Sequence, residues 1–72
     1  TGEVNKPDAY QHQDNMTVLM AITLAGGFTG RAGKNKISIQ RQQNDTKITL
    51  DRVSPDEIVL KNDIIVVPES FF

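Results

Sequence analysis

The chain has 72 residues with a single histidine, no cysteine and 9 acidic residues. The candidates for reaction chemistry are His12 and the carboxylates. A lone imidazole can act as a base or bind a metal, but a metal site needs further histidine, cysteine or carboxylate ligands, and the flanking Gln11 and Gln13 ligate poorly. His12 reads as a solvated residue in an exposed loop. Asp14, Asp56, Glu57 and Asp63 supply carboxyl groups, but acid–base or glycosidase work needs two of them about 5–10 Å apart across a cleft. Asp63 stands in a turn, and Asp56 and Glu57 stand at the amino end of a helical turn, where acids are favoured without any catalytic role. The residue types predict no catalytic group, no metal site and no cofactor.

Gly26, Gly27, Gly30 and Gly33 have the density of a phosphate loop but the wrong place. Such loops lie between a strand and the start of a helix, whereas these glycines follow a helical pattern and stop it. Asn15-Met16-Thr17 and Asn44-Asp45-Thr46 match the glycosylation sequon, and each asparagine already suits a cap or a turn. One local basic cluster remains, Arg31, Lys34 and Lys36, with Arg41 as a further candidate member. It reads either as a solvated loop or as a contact for an acidic glycan or for the acidic face of a neighbouring subunit.

The elements that must position these groups are organised around residues 17–29. Val18, Leu19, Ile22, Ala25 and Gly26 recur at three- and four-residue steps, which predicts one buried stripe of a helix. Asn15 and Thr17 can both cap its start, and Thr17 is preferred; one of Gly26 and Gly27 should take the left-handed conformation that ends it. Residues 2–5 read as a strand, 6–8 as a turn and 9–11 as a returning strand. Residues 30–35 form a glycine-containing loop expected to be the most mobile part. Ile37 and Ile39 alternate with polar neighbours, as do Ile48 and Leu50, predicting a hairpin whose turn lies at Asn44-Asp45. Ser54-Pro55-Asp56-Glu57 predicts one helical turn. Ile58, Leu60 and Ile64-Ile65-Val66-Val67 are expected to complete the core, with Tyr10 and Phe28. A strand apolar on both faces is either covered on both or presents one to a partner.

At this length folding removes only about 60% of the unfolded surface from water, so one small, marginally stable domain is expected. With 8 basic and 9 acidic residues mixed along the chain, no field steers a polyanion, which argues against nucleic acid. The apolar runs are too short to span a bilayer. The start at Thr1-Gly2-Glu3-Val4, without an initiator methionine, implies a fragment of a longer protein with any targeting segment upstream.

Three stretches in order carry a resemblance: Gly2-Glu3-Val4-Asn5-Lys6-Pro7, residues 17–28 with Ala25-Gly26-Gly27, and residues 60–68 ending in Asp63-Ile64-Ile65-Val66-Val67-Pro68. Together they resemble the soluble-ligand-binding β-grasp (SLBB) domain of bacterial outer-membrane polysaccharide export proteins. Two turns depart from the family pattern, reading Pro7-Asp8 and Asn62-Asp63 in place of proline-glycine and glycine-aspartate. The resemblance implies an α+β, β-grasp fold in which a mixed four- to five-stranded sheet packs on one helix, residues 1–72 forming a single domain. In it the carboxy-terminal strand runs parallel beside the first strand. It further implies a non-catalytic module of capsule or exopolysaccharide export on the periplasmic side of the outer membrane. Its expected partners are further copies of the full-length protein, the exported polysaccharide and inner-membrane synthesis and export components. The alternative it implies is a small-ligand or sugar-binding module that recognises the exported glycan. Arg31, Lys34 and Lys36 are the candidate glycan or subunit contacts.

Overall fold

The computed structural model describes residues 1–71. Its helix, α1, runs Val18–Leu24 and begins where Thr17, in extended conformation, accepts the Met20 N–H on Oγ1 at 3.2 Å. That bond satisfies one first-turn donor, and methionine at position 20 leaves the reciprocal capping bond unmade. The helix ends in a Schellman arrangement: Gly27 N–H donates to the Ile22 carbonyl at 2.9 Å and Gly26 N–H to the Thr23 carbonyl at 3.0 Å. Both glycines carry positive φ, +82° and +83°, where one had been expected. The next carbonyls are met by the amino-terminal segment. Lys6 N–H reaches Ala25 O at 2.8 Å, and Asn5 reaches Gly27 O through its backbone and Gly26 O through Nδ2.

Those bonds explain a departure from the sequence reading. Asn5 and Lys6 spend their donors on the helix end, and Pro7 has none to give, so residues 9–11 form no returning strand. The regular sheet has three strands rather than four to five: β1 (Ser38–Gln43), β2 (Thr46–Leu50) and β3 (Ile64–Val66), in the order β2-β1-β3, all antiparallel. Parallel pairing of the two chain ends is confined to a bridge, Gly2 with Val67, beside bonds from Glu3 N to Val67 O and from Val67 N to Thr1 O. This places β3 between β1 and the amino-terminal segment. The α+β class holds with a shorter sheet than a four- to five-stranded β-grasp.

The β1–β2 hairpin turns on two residues, Asn44 (φ 50°) and Asp45 (φ 65°). Two left-handed residues give the turn whose twist matches the strands it joins. In register, Ile39 faces Leu50 on one side and Ile65 on the other, so these share the inner face, while Gln40 and Ile64 share the outer one. Ile39 of β1, with Ile37 and Val67 just outside the strands, meets Val18 and Ile22 of the helix and Ala25 at its C-cap; Val4, Met16 and Val59 close the core. Each of these valine, isoleucine and methionine side chains contributes about 1.5–3 kcal/mol by leaving water.

The apolar phase fails at several positions, among them Ile64, which was expected in the core and is half exposed on the outer face of β3. Leu19 and Gly26 lie outside the buried stripe, because the helix and its C-cap meet the core through Val18, Ala21, Ile22 and Ala25. Ile58 and Leu60 are exposed and Val59 between them is buried, since the bond from Val59 N–H to Met16 O sets that stretch in extended phase. Tyr10 is exposed, while Phe28 packs against the core.

Candidate functional site

Arg31 and Lys34 are exposed on a loop that is tied down: Gly33 N–H donates to Pro68 O and Ser70 N–H to Arg31 O, each at 2.7 Å, and Ala32 bridges Glu69. The expected mobile segment is thus half of a short antiparallel clasp. A Cβ at Gly33 would lie 3.2 Å from Pro68 O, so the small residue permits the close approach. Lys34 holds its ammonium 5.5 Å from the Phe28 ring centre, within cation–π range. Lys36 follows, its N–H bonded to Gly33 O, and is exposed. Arg41 does not join them. It is on the inner face of β1, forking onto Asp63.

A second feature was not legible locally. Residues 7–12 cross the surface as a strap without regular structure, and between the strap, α1 and the stretch 59–65 lies a cleft of about 550 Å³. Its walls include Val4, Tyr10, Ile22, Val59, Leu60 and Ile65. The Tyr10 hydroxyl donates to Lys6 O, and His12 Nε2 lies 2.7 Å from Val59 O. A carbonyl only accepts, so Nε2 carries the proton and His12 is a partly buried pin for the strap, not a solvated loop residue. Val59 lies 47 positions from His12, which is why no spacing in the sequence announces the contact.

The 60–63 turn forms the other wall. Asp63 N–H donates to Leu60 O at 3.0 Å and its Oδ2 accepts Leu60 N–H at 2.8 Å, while Asn62 takes φ 71°. Asparagine thus serves where the family pattern has glycine. The Asp63 hydrogen bond raises the Arg41 pKa above its ordinary value. Asp56 and Glu57 are exposed at a single turn whose Ser54 Oγ accepts the Asp56 N–H. Among the described residues no group of three or more His, Cys, Asp or Glu could hold a metal ion, and no helix is long and apolar enough to cross a membrane. Phe71 is exposed, and Phe72 lies outside the described residues.

The SLBB domain family model matches residues 1–51 of the 72. The chain belongs to the SLBB domain family. The match takes in the Gly2 to Pro7 stretch, the helix with its glycine pair, and the hairpin of the SLBB domain. The third resembling stretch, residues 60–68, lies beyond the matched span, although it supplies β3 and one cleft wall. No curated protein and no solved structure matches the chain. An SLBB domain is a binding domain rather than a member of a catalytic family, so the geometry of this one is to be judged for what it can hold.

Proposed function

We propose that this SLBB domain is a non-catalytic module of a polysaccharide export protein. It joins copies of that protein into a ring around the conduit by which capsule or exopolysaccharide reaches the cell surface. The observation that carries this reading is the outward side of α1. The helix holds no charged residue, and Leu19, Met20 and Leu24 on its solvent side are each about half exposed. A surface helix normally sets polar residues outward, and one apolar on both sides is covered on both in its working state. Ile64 on the outer sheet face adds to the apolar surface awaiting a neighbour. The parent protein is longer than this chain and stands on the periplasmic side of the outer membrane. Its partners are further copies of itself, the exported polysaccharide and inner-membrane synthesis and export components. Arg31, Lys34 and Lys36 serve as the contact for an acidic glycan or for acidic residues of the next copy.

The cleft favours a second reading, a small-ligand-binding module, since a volume of about 550 Å³ falls in the range of about 300–1,000 Å³ typical of ligand sites. The assembly reading is tested in cells by introducing Met20→Glu with Leu24→Glu into the parent and measuring surface polysaccharide. Loss of surface polysaccharide with normal protein abundance is expected, and unimpaired export would overturn the reading. The same assay with Arg31, Lys34 and Lys36 all changed to glutamate examines the basic contact separately.

A further inference from the structure

The cleft between the strap and the 59–65 stretch differs from a sugar site in the state of its polar groups. A sugar needs aromatic faces to stack on and unspent donors and acceptors to meet its hydroxyls, because a hydroxyl buried without a partner is penalised. Here most of the polar side chains in the lining already hold a partner, and the Thr1 amino group beside them donates to Ile65 O. Asp63 is occupied by Arg41 and by the Leu60 N–H. His12 Nε2 is spent on Val59 O, the Tyr10 hydroxyl on Lys6 O, and Asp8 Oδ1 on the Ala9 N–H. Tyr10 and the imidazole of His12 are the aromatic rings in the lining, and the floor is the aliphatic core itself, through Val4, Ile22 and Val59. Gln11, Lys61 and Asn62, all exposed, stand at the mouth.

We propose that this cleft takes a small molecule with an apolar body, its polar groups left at the mouth beside Gln11, Lys61 and Asn62, and that it does not take a sugar. The inference rests on the ligand-binding reading and names the ligand's chemistry. Access is through the strap. Among the described residues no backbone hydrogen bond ties 7–12 to the body, so the side chains of Tyr10 and His12 hold it, and opening it disturbs neither α1 nor the sheet.

The test is a titration of the isotope-labelled chain with indole and, separately, with maltotriose, following backbone amide shifts. Indole is expected to move the amides of Tyr10, His12, Ala21, Val59 and Leu60 while maltotriose leaves them in place. Ala21→Leu, which fills the cleft from its helix wall, should weaken indole binding tenfold or more. Tyr10→Ser, at an exposed position away from the core, should weaken it severalfold and serves if Ala21→Leu fails to fold. Maltotriose moving these amides while indole does not would overturn the inference and leave the ligand-binding reading standing. Neither probe acting at the cleft, or indole acting only at Leu19, Met20 and Leu24, would overturn both.

Discussion

Arg41 grips the carboxylate of Asp63 with both arms of its fork: Nε lies 3.0 Å from Oδ1 and Nη2 lies 2.8 Å from Oδ2. The Asp63 side chain is 1% exposed and that of Arg41 16%. The pair joins the inner face of β1 to the turn that precedes β3. Because Arg41 Nη2 also reaches Ile58 O at 3.4 Å and Asp63 receives the Leu60 N–H, one guanidinium fixes the whole 58–63 wall of the cleft.

Removing Arg41 should therefore hurt more than removing any other surface cation. Arg41→Met leaves a shielded carboxylate without its counter-charge, and breaking such pairs costs about 3–5 kcal/mol when both are fully buried; the partly open Arg41 brings the expectation to about 2–3 kcal/mol. Urea unfolding measures it, with a Lys47→Met control, at an exposed position, expected to change stability by less than about 0.5 kcal/mol. The sign of the pH dependence follows from the raised Arg41 pKa. A raised folded-state pKa gives stability that is present below the unfolded value and lost as pH climbs through the folded one, a window above about pH 12 for arginine. Arg41 itself should thus contribute no loss of stability between neutral pH and about pH 10, which melting curves across that range can check.

Three glycines with positive φ should rank by what a Cβ would meet. At Gly2 it would lie 2.2 Å from Val67 O, at Gly26 3.2 Å from Asn5 Cβ, and at Gly27 it would meet nothing within 4 Å. All three alanine variants carry the left-handed strain of about 1–2 kcal/mol. Gly2→Ala should be the most destabilising because backbone must move, Gly26→Ala intermediate and Gly27→Ala the mildest, as read by thermal melting. An equal loss at all three would remove the close contacts from the account.

The helix phase makes its own contrast. Ile22 is buried and Leu19, three residues earlier, is half exposed. Ile22→Ala should cost about 2–4 kcal/mol and Leu19→Ala less than about 1 kcal/mol in urea unfolding. Equal costs would place the core on the wrong side of α1.

At the hairpin, Asp45 holds φ 65° after Asn44 at 50°. Asn-Gly is the pair this turn favours, so Asp45→Gly relieves strain and should stabilise by about 0.5–1 kcal/mol. For a domain of this size that is a rise of about 2–8 °C in melting temperature. A fall would mean that Asp45 makes a contact outweighing its strained backbone.

What the sequence revealed and what it hid divide along one physical line. Thr17 as cap, the glycine pair as helix stop, and the alternation of Ile37 and Ile39 against Ile48 and Leu50 are local signals, and the structure follows them. Tertiary bonds overrode local preference elsewhere. Asn5 and Lys6 turn to the helix end and cancel the returning strand, Pro68 and Ser70 fasten the loop that composition marked as loose, and Arg41 leaves the basic cluster for Asp63. The cleft belongs to this second kind, because its strap and its far wall are separated by most of the chain. The basic residues Arg31 and Lys34 were legible as a group because they are close in sequence, and their role stays with the assembly proposal.

The central claim, that the uncharged helix is covered by a neighbouring copy, is tested most directly by light scattering on the full-length parent. Specific interfaces bury about 1,200–2,000 Å² in total, more than the apolar side of one seven-residue helix provides, so the 72-residue chain alone should scatter as a monomer or a weak associate. The parent should scatter as a closed oligomer that falls to monomer on Met20→Glu with Leu24→Glu, the isolated chain carrying the same changes still melting cooperatively. A monomeric parent, or a ring unchanged by both substitutions, would contradict the account.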